Sequence, residues 1–439
     1  MRDLAAKHGP LMRLPAVVAS SPECAELVLK THDLAFADRY CSETLRAITF
    51  DAGDIAFAPY GERWRQLRKI AVLEVLGAAR VRSPASRRVR EDEARRMVLE
   101  LADAGGGSWM ARLVNDAVVS ASIGGGRWRG REEFLEALEE SVRLSSGMNV
   151  ADMFPSWGRV MGVLGTSMRR ALETRRRMER VIEQVIQERK ELIMAAAADT
   201  GGGEDECSLD VLLRLQKEGG TAIPITNETM VALLFDMFAG GTETTATALN
   251  WTMAELMRSP RVMEKAQAEV RQALQGKNTV TESDIVELSY LKMVIKEALR
   301  LHCPVPLLGP RKYRETCQVI GYDIPKGTTV LVNVWAICRD PKYWDESEEF
   351  KPERFENNRI DFKGNDFEFL PFGAGRRMCS PNLASMEIVL ASLLYHFDWK
   401  LPNGMEPKDV DMEDGPGIVS AKRTSLLVCP VTRIPPNNV

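Results

Sequence analysis

The stretch from Phe367 to Leu390, FEFLPFGAGRRMCSPNLASMEIVL, limits the fold more than any other part of the chain. It begins as a glycine-rich loop bearing two arginines and turns into a helix-type apolar pattern, with Cys379 at the join. Gly373 and Gly375 permit tight turns and close approach of the main chain to a flat partner. A cysteine just ahead of a helix N-terminus has its thiolate favoured by the helix dipole and by free N–H groups. Arg376 and Arg377 add positive charge. These are the electrostatics of a thiolate ligand or nucleophile. A small buried thiol beside a solvated arginine pair explains the same residues equally well at this point.

The rest of the chain reads as mostly helix with minor sheet. A cap at Ser21-Pro22 opens a helix after a short strand, and GERWRQLRKIAVLEVL is a helix with one strongly basic side. FLEALEESVRLSSG is a helix ending at Gly147. SMRRALETRRRMERVIEQVIQERKELIMAAAA is a long charged helix, and its charge reads as a solvated face. DTGGGEDECS is an acidic loop, and SLDVLLRLQKEGG is a short helix closed by glycine. The longest regular segment runs from a cap at Thr226 to Pro260. SPRVMEKAQAEVRQAL, SYLKMVIKEALRLH and LASMEIVLASLLYHF are further helices. CQVIGYDIPKGTTVLVNV and SLLVCPVTRI are strand-like.

Net charge is −4, which gives no general pull toward nucleic acid. The eight cysteines include no C-x-x-C pair, so neither a disulfide framework nor a zinc site is indicated. No apolar run reaches the ~20 residues of a membrane-spanning helix. Taken as starting at Met1, the chain reads as soluble and cytoplasmic.

The spacing of Phe372, Gly375, Arg377 and Cys379 matches F-x-x-G-x-R-x-C and resembles the haem-binding loop of the cytochrome P-450 superfamily. Three further stretches agree with it in order. Glu297 and Arg300 form Glu-x-x-Arg on one helix face, and Arg354 stands in FKPERFEN where the family completes that pair. GGTETT places Gly240 and Gly241 inside the longest helix at about 1 kcal/mol each against alanine, which suggests a kink or a cavity, with Glu243 and Thr244 following. Trp64 and Arg68 lie one helical turn apart. Local wording such as FAPYGERWRQLRK and LPFGAGRRMC resembles the plant specialised-metabolism clan, with grass terpenoid oxidases the nearest likeness.

The resemblance implies a single domain over 1–439 with the cytochrome P-450 fold: mainly α with minor β, a long central helix over the haem and small β-sheets. It implies haem b (iron protoporphyrin IX) with Cys379 as the iron ligand. Trp64, Arg68 and Arg377 would hold the haem propionates, with Phe372 and Gly375 in the haem loop. The acid–alcohol pair Glu243 and Thr244 would carry protons, and Glu297, Arg300 and Arg354 would form a structural network. A substrate pocket would draw on the loop between Tyr40 and Phe57, on Phe235 and Ala239, on Val305 to Leu308, and on Ile418 and Val419. These are mainly apolar and suit a lipophilic small molecule.

Activity by this likeness is hydroxylation of a lipophilic plant metabolite, a terpenoid before others, in a monomer. Electrons would come from NADPH through NADPH-cytochrome P-450 reductase, docking on a basic face with Arg65, Lys69 and Arg376. Location would be the cytosolic face of the endoplasmic reticulum.

Two departures keep other readings in view. Family members carry Cys-Pro-Gly and several more residues before the equivalent of LASMEI, whereas only Ser380, Pro381 and Asn382 separate Cys379 from Leu383. A loss of about three residues is close to one helical turn of ~3.6, with Pro381 suited to an early helix position. By the same likeness the chain is expected to lack the clan's N-terminal anchor and proline-rich hinge, and LMRLPAVVAS to lack part of the family's first strand hairpin. A haem-poor, non-catalytic remnant accommodates both losses. An oxygen-independent haem-thiolate isomerase is a third reading, against which Glu243 and Thr244 stand.

Overall fold

The computed structural model describes residues 11–13, 16–104, 130–145, 166–196, 206–315, 317–319, 321–380 and 383–436. The helices are α1 (Pro22–Glu26), α2 (Glu43–Ile48), α3 (Glu62–Ile70), α4 (Ala78–Val81), α5 (Pro84–Ala104), α6 (Arg131–Leu144), α7 (Thr166–Ala196), α8 (Ser208–Glu218), α9 (Asn227–Arg258), α10 (Pro260–Ala273), α11 (Ser289–Leu301), α12 (Val334–Ile337) and α13 (Ala384–His396). Gly147 and most of the acidic loop before α8 lie outside the described residues.

Local chemistry sets several of these boundaries. Ser21 accepts from the Cys24 amide to open α1, and Thr226 accepts from the Thr229 amide to open α9. Gly219, with φ of 68°, ends α8. Pro260 begins α10 where its missing N–H is harmless.

Strands β1 (Leu11–Arg13), β2 (Val17–Ala19), β3 (Asp38–Arg39), β4 (Arg311–Lys312) and β7 (Thr329–Val332) form a sheet in the order β1-β2-β7-β4-β3. β1 pairs antiparallel with β2, Leu11 opposite Ala19, in a hairpin whose arms are three residues each. β5 (Cys317–Val319) with β6 (Tyr322–Ile324), and β8 (Phe397–Lys400) with β9 (Cys429–Thr432), make two-stranded ribbons.

Two apolar cores meet on α9. Met230 to Phe238 pack with α6, α7 and α8, where Phe134 meets Phe238 edge-on at 5.4 Å. Ala246 to Met257 pack with α10, α11, α13 and the large sheet. Gly240 to Thr245 fall between the two cores. The helix runs unbroken there, and no atom lies within 4 Å of where a Gly240 Cβ would stand. Gly240 therefore faces open space, and the unbroken helix has no kink at this stretch.

α11 is tied to the segment after it by one carboxylate. Glu297 accepts both arms of Arg300, from Nε and Nη2, at 2.8 Å each. It also accepts from Arg354 Nε at 2.9 Å and from the Lys351 amide at 2.9 Å. The remaining donors reach backbone carbonyls: Arg300 to Cys338, Ser347 and Glu349, and Arg354 to Asp345, Glu346 and Glu349. Glu297 and Arg300 have no solvent exposure.

Removing one partner of such a network leaves uncompensated charge, at ~3–5 kcal/mol. Arg354→Ala should lose that much in chemical denaturation, whereas a loss below ~1 kcal/mol, the level of an exposed pair, would count against a buried network.

Candidate active site

Cys379 is held by nested turns. Gly373 donates to Leu370, Met378 to Gly375, and Cys379 to Phe372, each at 3.0 Å. Gly373 and Gly375 have φ of 70° and 71°. A Cβ on Gly375 would stand 2.1 Å from the Leu29 carbonyl oxygen and 2.9 Å from the Asp33 carboxyl, so only glycine fits. Phe372 is half-buried and meets Phe362 edge-on at 5.3 Å.

Cys379 is accessible to solvent, yet enough protein surrounds it to desolvate its thiol. That desolvation pushes the thiol pKa up, and the charge of Arg68 opposes the rise. This corrects the expectation drawn from neighbouring letters. Arg376 turns outward to Asp33, Nη1 to Oδ2 at 2.8 Å. Arg377 is buried, donating to the carbonyls of Ala37 at 2.9 Å, Ile55 at 3.0 Å and Ala58. α13 begins at Ala384, past Ser380 and Leu383, rather than directly behind the cysteine. Pro381 and Asn382 lie outside the described residues.

α3 presents two faces. Trp64 and Arg68 turn inward, while Arg65 and Lys69 are exposed. The indole N–H of Trp64 donates to Ile55 at 2.9 Å, and its ring lies 4.2 Å from the Arg377 guanidinium. Trp64 therefore acts as a platform for Arg377, its one donor being committed to the backbone. Arg68 donates to the Met378 carbonyl beside Cys379.

Two more arginines join the cluster that sequence reasoning did not find. Arg39 and Arg311 face each other in the β3–β4 pair, where like charges repel. Arg311 donates to Asp33 at 3.2 Å and to the Ala374 carbonyl at 3.3 Å. Arg39 donates to the carbonyls of Ala56, at 3.1 Å, and Gly309. Burial first, then Arg311 and Arg377, push the Arg39 pKa well down. Arg377 is pushed down to about 10 by burial and then by Arg311. Only register, which brings residue 39 to residue 311, reveals this pairing. The crowd of guanidiniums around the Cys379 loop suits a flat group that carries carboxylates.

The loop from Asp54 to Ala58 is strung between acids and these cations. Its Ile55 amide donates to Asp236 of α9 at 2.6 Å, and its Phe57 amide to Asp54 at 2.9 Å. Its carbonyls serve Trp64, Arg39 and Arg377 as described. Burial pushes Asp54 up to about 7 against the pull of Arg377 and of backbone amides, and burial, then the charge of Asp54, push Asp236 well above the carboxylate range. The second oxygen of Asp54 is buried without a hydrogen-bond partner.

Farther along α9, Thr244 donates its hydroxyl to the Gly240 carbonyl at 2.6 Å. Glu243 beside it is pushed up by burial and then by Glu139 of α6. Phe235 is buried edge-on to Phe50 at 5.5 Å, with Ala239 one turn later. Val305 to Leu308 close a turn, Leu308 amide to Val305 carbonyl at 3.0 Å. Leu308 has φ of 52° and reaches 3.3 Å from where a Gly373 Cβ would be. Ile418 and Val419 are half-buried near the C-terminus.

A family model described as Cytochrome P450 matches residues 1–428. The chain belongs to the cytochrome P450 family. It is 58% identical to an ent-cassadiene hydroxylase of Oryza sativa subsp. japonica, over all of this chain and 88% of that protein. It is 51% identical to a dolabradiene monooxygenase of Zea mays, again over all of this chain and 88% of that protein. A solved zebra fish cytochrome P450 structure with progesterone shares the fold at a TM-score of 0.80 and 26% identity, covering 98% of each chain.

This cytochrome P450 is a monooxygenase, and its family works with haem iron and electrons from a redox partner. No described helix is long and apolar enough to cross a membrane.

The acids give this cytochrome P450 a pH dependence. Asp54 binds protons more tightly folded, at about 7, than at its ordinary 3.8. Stability is therefore greatest below the lower value and falls as pH rises between the two. Asp236 carries the same sign. In denaturant titrations at about pH 5 and about pH 7, Asp54→Asn should show a smaller loss than the native chain. Parallel losses would exclude Asp54 as a source.

Proposed function

We propose that this cytochrome P450 is one haem b-dependent domain that hydroxylates a diterpenoid hydrocarbon. The observation that carries the substrate class is the high identity, along the whole chain, to the rice and maize proteins named for ent-cassadiene and dolabradiene. An ent-isokaurene C2/C3-hydroxylase of rice, 56% identical, points the same way. The apolar Phe235, Ala239, Val305, Leu308, Ile418 and Val419 suit such a ligand.

Cys379 is the residue for the iron, and Arg68 supplies the cation beside its sulfur. Arg377 and Arg68 would hold the haem carboxylates, with Trp64 as the surface on which Arg377 rests and Arg39 and Arg311 adding charge. Phe372 and Gly375 shape the loop. Bound haem supplies the oxygen activation that places a hydroxyl on an unactivated carbon. Glu243, whose raised pKa favours holding a proton, delivers it toward the open space at Gly240. The Thr244 hydroxyl donates its hydrogen bond to the Gly240 carbonyl, which leaves its oxygen lone pairs to accept one. Arg65 and Lys69, exposed on α3, suit the acidic surface of an NADPH-dependent cytochrome P450 reductase. The cytosolic face of the endoplasmic reticulum is the matching location.

The test is a carbon monoxide difference spectrum of the reduced protein, followed by turnover of ent-cassadiene with reductase and NADPH. Cys379→Ser should abolish the thiolate-type band, and an unchanged band would refute Cys379 as ligand. The short segment behind Cys379 gives a second measurement. Adding Pro-Gly and the missing residues should raise the haem-to-protein ratio, and a native chain already fully loaded would show the shortening to be harmless.

A further inference from the structure

The last wall of the pocket proposed above is the tip of a hairpin. Gly415 donates to Ala421 at 2.7 Å, Arg423 to Glu413 at 2.9 Å, and Asp414 bridges Lys422. Ile418 and Val419 lie at the tip. The ladder bonds within the hairpin do not by themselves set where that tip stands relative to α9.

Ser420, next after Val419, supplies the fixing points. Its amide donates to the Pro304 carbonyl at 2.8 Å, just before the turn that begins at Val305. Its carbonyl accepts from the indole N–H of Trp251 at 2.8 Å. Both backbone polar groups of one residue thus join three walls: hairpin, turn and central helix.

Trp251 is itself immobilised. It is fully buried on α9 and stacks on His302 with centroids 4.1 Å apart and planes 7° apart. His302 Nε2 lies 2.7 Å from Glu255 Oε1, one turn farther along the same helix. The Lys422 ammonium, from the hairpin, lies 4.6 Å from the indole centroid. The indole is therefore clamped by groups from α9, α11 and the hairpin, and only its N–H remains to be aimed.

We propose that Trp251 is a positioning residue that sets which carbon of the substrate is hydroxylated, by fixing the Ile418–Val419 tip through Ser420. Glu243 and Trp251 share one rigid helix, about 12 Å apart at ~1.5 Å per residue. The distance from hairpin tip to reacting centre is thus set by helix geometry. An ångström of misplacement at a reacting carbon is worth about a hundredfold in rate, so a released tip alters the product ratio before it alters folding. The inference rests on the pocket reading given above.

The test uses the full chain with haem and Trp251→Phe, which keeps a ring on His302 and removes the N–H. Amide exchange across 414–422 should rise about fivefold, the worth of one net hydrogen bond, with α9 and the carbon monoxide band unchanged. The ratio of regioisomeric alcohols from ent-cassadiene should shift.

Unchanged exchange overturns the proposal. So does raised exchange with an unchanged ratio, provided Ile418→Ala shifts that ratio. If Ile418→Ala leaves the ratio unchanged, the pocket reading has failed, and the positioning role with it. If ent-cassadiene is not turned over, the substrate assignment fails and exchange alone decides the clamp. Should Trp251→Phe not accumulate folded, the native chain still decides: a Trp251 indole N–H that exchanges as fast as a solvent-exposed one refutes the clamp.

Discussion

A single carboxylate organises the half of the molecule that carries the cysteine. Glu297 has two oxygens and four donated hydrogen bonds, from both arms of Arg300, from Arg354 and from the Lys351 backbone. No water competes there, so each bond has close to its full electrostatic strength. The consequence is positional. Arg300 and Arg354 together gather the carbonyls of residues 338 to 349 onto α11, under Trp344. Trp344 packs edge-on to Phe369, and Cys303 at the end of α11 contacts the Pro371 carbonyl. Phe372 follows immediately and receives the Cys379 amide. The place of the thiol is thus inherited, contact by contact, from an ion pair that does not touch it.

The arginine crowd follows the opposite logic. Glu297 and Arg300 are matched in charge, whereas Arg39, Arg68, Arg311 and Arg377 outnumber the acids among them. Asp33 serves both Arg311 and Arg376, and Asp54 sits close to its own proton-binding range. A fold optimised for stability alone would not place two arginines opposite each other in a sheet. Backbone carbonyls hold the guanidiniums in place and leave their net charge uncancelled. That is a suitable arrangement for receiving carboxylates, since the donors are oriented before the partner arrives.

Which parts of this were legible in the sequence follows from distance along the chain. Glu297 with Arg300, Trp64 with Arg68, and the loop from Phe372 to Cys379 are local, so spacing and helical period expose them. The partners that complete each one are not local. Arg39 meets Arg311 only through strand register, and Ile55 meets Asp236 only because a loop crosses the central helix. Adjacency in sequence also misled. Arg376 and Arg377 precede Cys379 closely, yet one faces solvent and the other faces carbonyls, while Arg68 from a distant helix acts on the thiol. The arms of the first hairpin, β1 and β2, are too short to show alternation in the sequence, although their pairing is regular.

The central helix converts these separate contacts into one frame. Asp236 holds the loop that anchors Arg377, Glu243 and Thr244 stand at the seam between the two cores, and Trp251 holds the hairpin tip. Successive anchors are separated by about two turns, ~11 Å each at helical rise, and all lie on one hydrogen-bonded rod. Packing fixes that rod at both ends, because its first half belongs to one core and its second half to the other. Between them the helix has small residues and open space beside Gly240. A rod clamped at both ends keeps the distances along it from varying, and its open side at Gly240 lies between the clamps. The glycine cost is then confined to the one stretch where side chains would occupy that open side.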